Sequence, residues 1–165
     1  MLDPIFVLTY KNRPGNIIQR FLENKIAVDK NRKVYFVCYD FDFVESGYDK
    51  YKLPSNMEFL KIDFQNDFVK NNLERCVQAK RYYTFNKAYE MGNHFCWIFD
   101  DDFLSAFKMI DFEKHKKEEV PLEEALQFLE SSVSNKIFSI AGFPHSKGSM
   151  AFVMNKPNIG EYSLI

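Results

Sequence analysis

At the centre of this sequence stands the run Cys96-Trp97-Ile98-Phe99-Asp100-Asp101-Asp102. The residues from Phe95 to Phe99 are apolar or nearly so, which is typical of a buried central strand. Because side chains alternate along an extended chain, we expect Asp100 and Asp102 to point one way and Asp101 the other. Ligands of open α/β sheets bind outside the carboxyl ends of the strands, so the run predicts a binding site at this strand end.

The three acids have two interpretations. A single Asp is a favoured helix N-cap and contributes about 1 kcal/mol, so the acids could cap a helix that begins at Phe103. Carboxylates about 4 Å apart, however, repel by about 1 kcal/mol in water and about 4 kcal/mol at an effective dielectric near 20. Crowding three acids costs more than a cap contributes, and we therefore favour a divalent-metal site over a solvated, capped strand end.

Length, charge and cysteine content narrow the class of protein. The chain has 165 residues and a net charge of −1, which fits one domain and argues against general electrostatic attraction to nucleic acid. Cys38, Cys76 and Cys96 are widely spaced and match neither a zinc pattern nor a disulfide framework, which predicts a reducing compartment. The sequence shows no signal-peptide pattern and no long apolar segment. We therefore expect a cytoplasmic protein with no membrane span.

Strand and helix patterns alternate in the residues before the acids. Five elements are expected there: strands at 5–9, 34–39 and 57–62, and helices at about 16–24 and 69–91. Gly92 follows the second helix as its expected stop. Joined by right-handed crossovers, this series predicts an α/β fold with a mostly parallel sheet flanked by helices.

The residues after the acids give a weaker pattern. Residues 114–119 form a mixed charge run that we expect at the surface. Pro121, followed by acids, opens a helix that runs to about Ser132. Strands are expected at 137–141 and 150–154 with a loop at 142–149 between them, and no clear closing element follows Gly160.

Several common motifs are absent from the sequence. A Gly-rich dinucleotide fingerprint, a P-loop and a Gly-x-Ser-x-Gly elbow do not occur, which disfavours the corresponding cofactor, phosphoryl-transfer and hydrolase chemistries. His94 and His145 are far apart in sequence, and neither has a helical partner at metal-ligand spacing. We expect structural or surface roles for both.

A longer pattern surrounds the acid run. Arg81, Ala88 and Gly92 precede Trp97-Ile98-Phe99-Asp100-Asp101-Asp102 at the spacing that a helix, a stop and one strand require. This pattern resembles the GT-A-fold glycosyltransferases, whose Asp-x-Asp motif follows a hydrophobic strand in a nucleotide-binding α/β half. It is similar to family-2 sugar transferases and to phage-type enzymes that glycosylate modified DNA bases.

The resemblance implies both a fold and a function. The fold would be a single GT-A-like (Rossmann-like) domain over residues 1–165, with a nucleotide-binding half at about 1–103 and a short or truncated acceptor half at about 104–165. The function would be a metal-dependent glycosyltransferase that moves a sugar from a nucleotide-sugar donor, foremost a UDP-sugar, to an acceptor such as a modified DNA base or a glycan.

The resemblance also assigns roles to residues. Asp100 and Asp102 would bind Mn²⁺ or Mg²⁺, which prefer oxygen ligands. The nucleotide would be contacted by Thr9, Arg13, Asp40, Arg81 and Asp100. Among these, Arg81 would approach the diphosphate or brace the acidic loop, and Asp40 would accept a hydrogen bond from the base or ribose.

Two features depart from the family pattern. Tyr82 follows Arg81 where family members commonly carry Asn. The acids after Asp102, such as Asp111, lie in no convincing catalytic motif, so no general base is assigned, and His145 is a candidate only for acceptor contact. A nucleotidyltransferase and a non-catalytic nucleotide-binding module on the same fold therefore remain as alternatives.

Overall fold

Four apolar runs form a parallel β-sheet. Its strands are β1 (Ile5–Leu8), β2 (Val34–Tyr39), β3 (Met57–Ile62) and β4 (Trp97–Asp100). The order across the sheet is β3-β2-β1-β4, and every neighbouring pair is parallel. A mostly parallel α/β sheet is thereby confirmed for this part of the chain. The computed structural model describes residues 2–11, 16–63, 76–93, 95–111, 114, 116–134 and 162–164.

Helices cover both faces of this sheet, which is why β1 and β2 are buried along their whole length. Helix α3 (Cys76–Glu90) lies on one face. The hydrophobic cluster there contains Phe6, Leu8, Tyr35, Val37, Tyr39, Leu60, Ile62 and, from the helix, Ala88. On the other face, Phe21 of α1 (Ile17–Leu22) meets Phe36 edge-on, with ring centroids 5.7 Å apart.

The helix that follows β1 was predicted from the sequence, whereas the helix that follows β2 was not. Helix α1 starts after Asn16, whose side-chain oxygen accepts a hydrogen bond from the Gln19 N–H at 2.9 Å and so caps the predicted helix. Helix α2 (Asp40–Glu45) begins at the residue after β2 and was not predicted. A 3₁₀ turn follows at Tyr48–Lys50.

Helix α3 ends in a glycine motif. Gly92 adopts a left-handed backbone with φ of 78°. Its N–H donates to the Tyr89 carbonyl at 2.9 Å, and the Asn93 N–H donates to the Ala88 carbonyl at 3.0 Å. This pair of bonds is a Schellman motif, and it confirms Gly92 as the helix stop. The predicted helical residues 69–75 lie outside the described part of the chain.

The Gly92→Ala variant is expected to lower the free energy of unfolding by about 1 kcal/mol, because left-handed backbone disfavours residues that carry a Cβ. A Cβ here would meet no heavy atom within 4 Å, so the loss is purely conformational. Urea unfolding measures it, and Gly92→Asn should recover part of it, since Asn tolerates this conformation. Equal stability of the Ala and Gly proteins would contradict the assignment.

The chain divides into two units. The first comprises Met1–Leu22 and Asp29–Asp102, and the second comprises Glu23–Val28 and Phe103–Ile165. The second unit holds β5 (Ala106–Asp111), β6 (Lys116–Val120), helix α4 (Leu122–Ser134) and β7 (Tyr162–Leu164). Its three strands form an antiparallel sheet in the order β6-β5-β7, which the sequence did not predict.

Helix α4 confirms the helix predicted from Pro121 onwards. Its buried residues recur at helical spacing and are Leu122, Ala125, Leu126 and Leu129. The charged residues of β6 are exposed, as predicted for that run, although they form a strand. No helix of the described residues has the length and apolar character needed to cross a bilayer.

One alternative and one expectation for the second unit were wrong. The helix that the capping interpretation would start at Phe103 does not form, because the chain enters strand β5 at Ala106. The chain after Gly160 does have a further element, since β7 pairs with β5 through the partners Ala106 and Leu164. The strands predicted at 137–141 and 150–154, and the loop between them, lie outside the described residues.

Candidate functional site

The candidate site lies where the strand order of the parallel sheet reverses. From β1 the chain runs outward through β2 and β3 and then returns to β4 on the other side of β1. Open α/β sheets bind ligands in the crevice outside the carboxyl ends of two such strands. Leu8 and Asp100 are register partners. The Thr9-Tyr10 segment and the acid run therefore leave the sheet side by side.

Arg81 and Asp100 form an ion pair at this edge. The Arg81 Nη2 lies 3.1 Å from one oxygen of the Asp100 carboxylate and 3.0 Å from the other. Both side chains are about half exposed, at 47% and 51%, and an exposed pair of this kind contributes roughly 0–1 kcal/mol to stability. Its effect is to orient the Asp100 carboxylate.

The next acid, Asp101, contacts the segment that follows β1. Its Oδ2 accepts a hydrogen bond from the backbone N–H of Tyr10 at 3.0 Å. Strand β4 ends at Asp100, and residues 101–102 form a turn. The alternation of side chains expected along an extended chain therefore does not reach Asp102. Asp100 and Asp101 are oriented by their hydrogen bonds, and the turn sets the position of Asp102.

Thr9 is one of the predicted nucleotide contacts. Its side chain is buried, and the Oγ1 hydroxyl donates to the Val37 carbonyl at 2.9 Å, which ties the end of β1 to β2. The hydroxyl is thus used within the sheet, and the Thr9 carbonyl accepts a hydrogen bond from a buried lysine of α3.

Lys80 is the residue that the sequence did not reveal. It is only 3% exposed, and its ammonium donates a hydrogen bond to the Thr9 carbonyl. The same ammonium lies 4.7 Å from the ring centroid of Tyr39 and 6.0 Å from that of Tyr10, both within cation–π range. One signal could have found it: Lys80, Thr84 and Ala88 recur every four residues, so the lysine belongs to the buried stripe of α3.

Two further acids follow the carboxyl end of β2, and the second of them interacts with this lysine. Asp40, the predicted base or ribose contact, is exposed, and its Oδ1 accepts the Phe41 N–H. Asp42 is half-buried, and burial raises its carboxyl pKa while the charge of Lys80 opposes that rise. The Phe41 ring stacks on Tyr39 at a centroid distance of 5.4 Å and an angle of 8°. An exposed aromatic face thus lies beside Asp40.

Asp102 is the acid that no other described group binds: it is exposed and takes part in no hydrogen bond or ion pair there. Nor do three or more His, Cys, Asp or Glu side chains gather into a metal-binding group within the described ranges. Mg²⁺ is often held by one or two carboxylates together with substrate phosphates. Arg81 uses about half of the four acceptor positions of the Asp100 carboxylate. A cation at Asp100 and Asp102 would therefore need further ligands from outside the described residues, such as the phosphates of a substrate.

Other predicted residues have different outcomes. Arg13, His94 and His145 lie outside the described residues. Asp111, the first acid after the run, is the last residue of β5, and its Oδ1 accepts the Lys114 N–H at 3.0 Å. The interpretation of the acid run as a helix cap is wrong, because strand β5 follows it.

Alkaline pH is expected to destabilise the fold. Burial raises the pKa of the Cys38 thiol from 9.0 to about 12, that of Cys96 from 9.0 to about 11, and that of Tyr48 from 10.0 to about 12. Each raised pKa means that folding favours the protonated form. Its contribution is complete below the unfolded pKa and is lost as the pH rises toward the folded pKa, by up to about 1.4 kcal/mol per pH unit for each group.

Urea midpoints measured at pH 8, 9.5 and 10.5 test this expectation. They should fall steadily above pH 9, and Cys38→Ala should flatten the fall between pH 9 and 10, where Tyr48 does not yet titrate. A midpoint that stays constant up to pH 10.5 would contradict the burial of all three groups.

Comparison of this chain with protein-family models, with curated proteins and with solved structures finds no match in any of the three.

Proposed function

We propose that this protein is a metal-dependent glycosyltransferase with a GT-A-like fold that uses a nucleotide-sugar donor. The observation that carries the proposal is the arrangement of the acid run at the switch point of the sheet. Asp100 and Asp101 are each held by groups of the fold, while Asp102 is exposed beside them without a partner among the described residues. A carboxylate that makes no hydrogen bond or ion pair with the described residues is suited to bind a ligand.

The charges at this edge support a diphosphate ligand. Asp102 and the open side of Asp100 would hold Mn²⁺ or Mg²⁺, which supplies Lewis-acid neutralisation of a diphosphate leaving group when bound. The exposed guanidinium of Arg81 offers donors suited to phosphate oxygens. Arg13 is proposed as a second phosphate contact on sequence grounds alone.

The end of β2 supports a nucleoside beside these phosphates. Asp40 is exposed and can accept a hydrogen bond from a base or a ribose hydroxyl. Phe41, 43% exposed and stacked on Tyr39, offers an apolar face for a base. We propose a UDP-sugar as the first donor to test, and a modified DNA base or a glycan as acceptor.

A second candidate function is a non-catalytic nucleotide-binding module. The observation in its favour is that Asp111, the first acid after the run, contacts Lys114 through both carboxylate oxygens and is therefore not free to activate an acceptor. A nucleotidyltransferase would need the same metal and nucleotide contacts, and its products distinguish it.

Thermal denaturation with nucleoside diphosphates, with and without Mn²⁺, tests the shared binding step. A ligand at 100 times its Kd stabilises by about 2.7 kcal/mol, which for a chain of this size raises the Tm by about 5–10 °C. Absence of any Mn²⁺-dependent shift with every nucleotide would overturn the proposal.

Donor turnover then separates the candidates. A panel of nucleotide sugars is incubated with Mn²⁺ and assayed for nucleoside diphosphate, first without acceptor and then with DNA that carries hydroxymethylated bases. Release of nucleoside diphosphate from a nucleotide sugar supports the transferase. A parallel incubation with nucleoside triphosphates and a sugar 1-phosphate tests the nucleotidyltransferase, which would release pyrophosphate as it joins the nucleotide to the sugar phosphate. Binding without any turnover supports the module.

A further inference from the structure

One peptide group connects the lysine of α3 to the acid run. The Thr9 carbonyl accepts from the Lys80 ammonium, and the Tyr10 N–H donates to the Asp101 carboxylate at 3.0 Å. This carbonyl and this N–H belong to the same planar peptide unit. The peptide is therefore held at both ends by opposite charges, and each of its two hydrogen bonds is of the stronger, charge-assisted kind.

Two consecutive basic residues of α3 thus hold two consecutive acidic residues at the end of β4. Arg81 binds Asp100 directly, and Lys80 reaches Asp101 through the Thr9-Tyr10 peptide. The two contacts differ in surroundings, because Arg81 is about half exposed while Lys80 is buried. Hydrogen bonds in the drier position are less weakened by water, so Lys80 provides the firmer of the two.

We propose that Lys80 is a positioning residue that sets the direction in which Asp102 is presented to a divalent cation. With Lys80 in place, the Thr9-Tyr10 peptide cannot rotate, its N–H stays on Asp101, and the turn that carries Asp102 is fixed. Without Lys80, the peptide loses one of its two restraints and Asp101 loses an oriented donor. This inference rests on the cation site of the proposed function, and outer contacts of this kind typically change metal affinity by 10–100-fold.

The first readout needs no ligand. In ¹⁵N-labelled protein, the Tyr10 amide proton reports its hydrogen bond to Asp101, and Asp101→Asn gives the position expected when that bond to a charged acceptor is lost. Lys80→Met, which has similar length and no charge, should shift the Tyr10 amide toward the Asp101→Asn position. An unchanged Tyr10 amide in Lys80→Met would overturn the inference.

The second readout uses Mn²⁺ alone as the probe. Paramagnetic broadening of the amide signals of residues 100–102, followed through a Mn²⁺ titration, gives an apparent Kd for each variant. Lys80→Met should weaken it about 10-fold. Lys87→Met is the matched control, because Lys87 lies on the same helix and pairs with Glu90, and its Kd should stay within about twofold of the wild-type value.

The outcomes distinguish failure of the Lys80 inference from failure of the proposed function. A wild-type protein that shows no saturable Mn²⁺ broadening fails the proposed function, and this inference with it. A wild type that binds while Lys80→Met binds equally well overturns the inference alone. If Lys80→Met does not fold by circular dichroism, Lys80→Gln repeats both readouts. Lys80→Arg, which keeps the charge and a donor, should restore the Tyr10 amide position, and its failure to do so would indicate a packing role instead.

Discussion

Asp102→Ala is expected to abolish the Mn²⁺-dependent thermal shift with nucleoside diphosphate and to lower donor turnover at least 100-fold. A bound cation stabilises a developing phosphate charge by several kcal/mol, and each 1.4 kcal/mol corresponds to a factor of ten in rate. The loss of Asp102 should leave the unliganded protein within about 0.5 kcal/mol of the wild type, because an exposed residue without contacts contributes little to stability. Melting curves with and without UDP and Mn²⁺ measure the binding, and nucleoside diphosphate release measures the turnover.

Glu58→Ala is the matched control for this variant. Glu58 is an exposed carboxylate in the amino-terminal half of β3, away from the carboxyl ends of the strands. Its removal should change neither the shift nor the rate. A full Mn²⁺-dependent shift in Asp102→Ala would show that Asp102 does not bind the cation. The acid run would then be interpreted as a solvated strand end and not as a metal site.

Phe36→Ala is expected to lower the free energy of unfolding by about 3–5 kcal/mol, the usual range for truncation of a buried Phe. Phe36 is fully buried in β2, and its ring lies 5.7 Å from Phe21 of α1 and 5.6 Å from Phe59 of β3. Truncation leaves a cavity between three elements, none of which can collapse into it alone. Urea unfolding measures the change, which is a large part of the roughly 5–15 kcal/mol that holds a domain folded.

Phe85→Ala provides the comparison within one residue type. The Phe85 side chain is 60% exposed on α3, and alanine is a better helix former than phenylalanine. This variant should therefore stay within about 0.5 kcal/mol of the wild type. A similar large loss in both variants would mean that the outer face of α3 is covered in solution.

Strands β1 and β2 could be predicted because they are continuous apolar runs, which suit strands buried on both faces. Strand β3 is different, since it alternates loosely and its Glu58 and Lys61 are exposed. Val34–Tyr39 and Met57–Ile62 were nevertheless predicted with the bounds that the structure gives them. The stop at Gly92 was predictable for a local reason, since its backbone conformation suits glycine.

The elements that the sequence missed depend on distant contacts. Helix α2 has no buried residue of its own, so it lacks an apolar stripe to mark it. Strand β6 is charged along its length and is a strand because it pairs with β5. Strand β7 is three residues long and is defined by its pairing with β5, more than fifty positions earlier in the chain. No local pattern carries this information.

The candidate site also has features that the sequence predicts and features that only the structure reveals. The acid run and its place at a strand end were readable from the sequence, and so was the proximity of Arg81. The partners of each acid were not, because they follow from the register of β4 against β1 and from the face that α3 presents. Lys80 was not predicted, and although it is adjacent to Arg81 in sequence the two residues have opposite environments: Lys80 is buried and Arg81 is half exposed.

The division of the chain into two units has a consequence for how its gene could be rearranged. The backbone passes between the units after Leu22, after Val28 and after Asp102. A break after Asp102 would leave the short segment Glu23–Val28 without the rest of its unit, and Ile26, now buried near Phe103 and Leu122, would face water. Neither unit is a single continuous segment of the sequence, so one recombination event cannot transfer either of them alone. We therefore expect the two units to be inherited together.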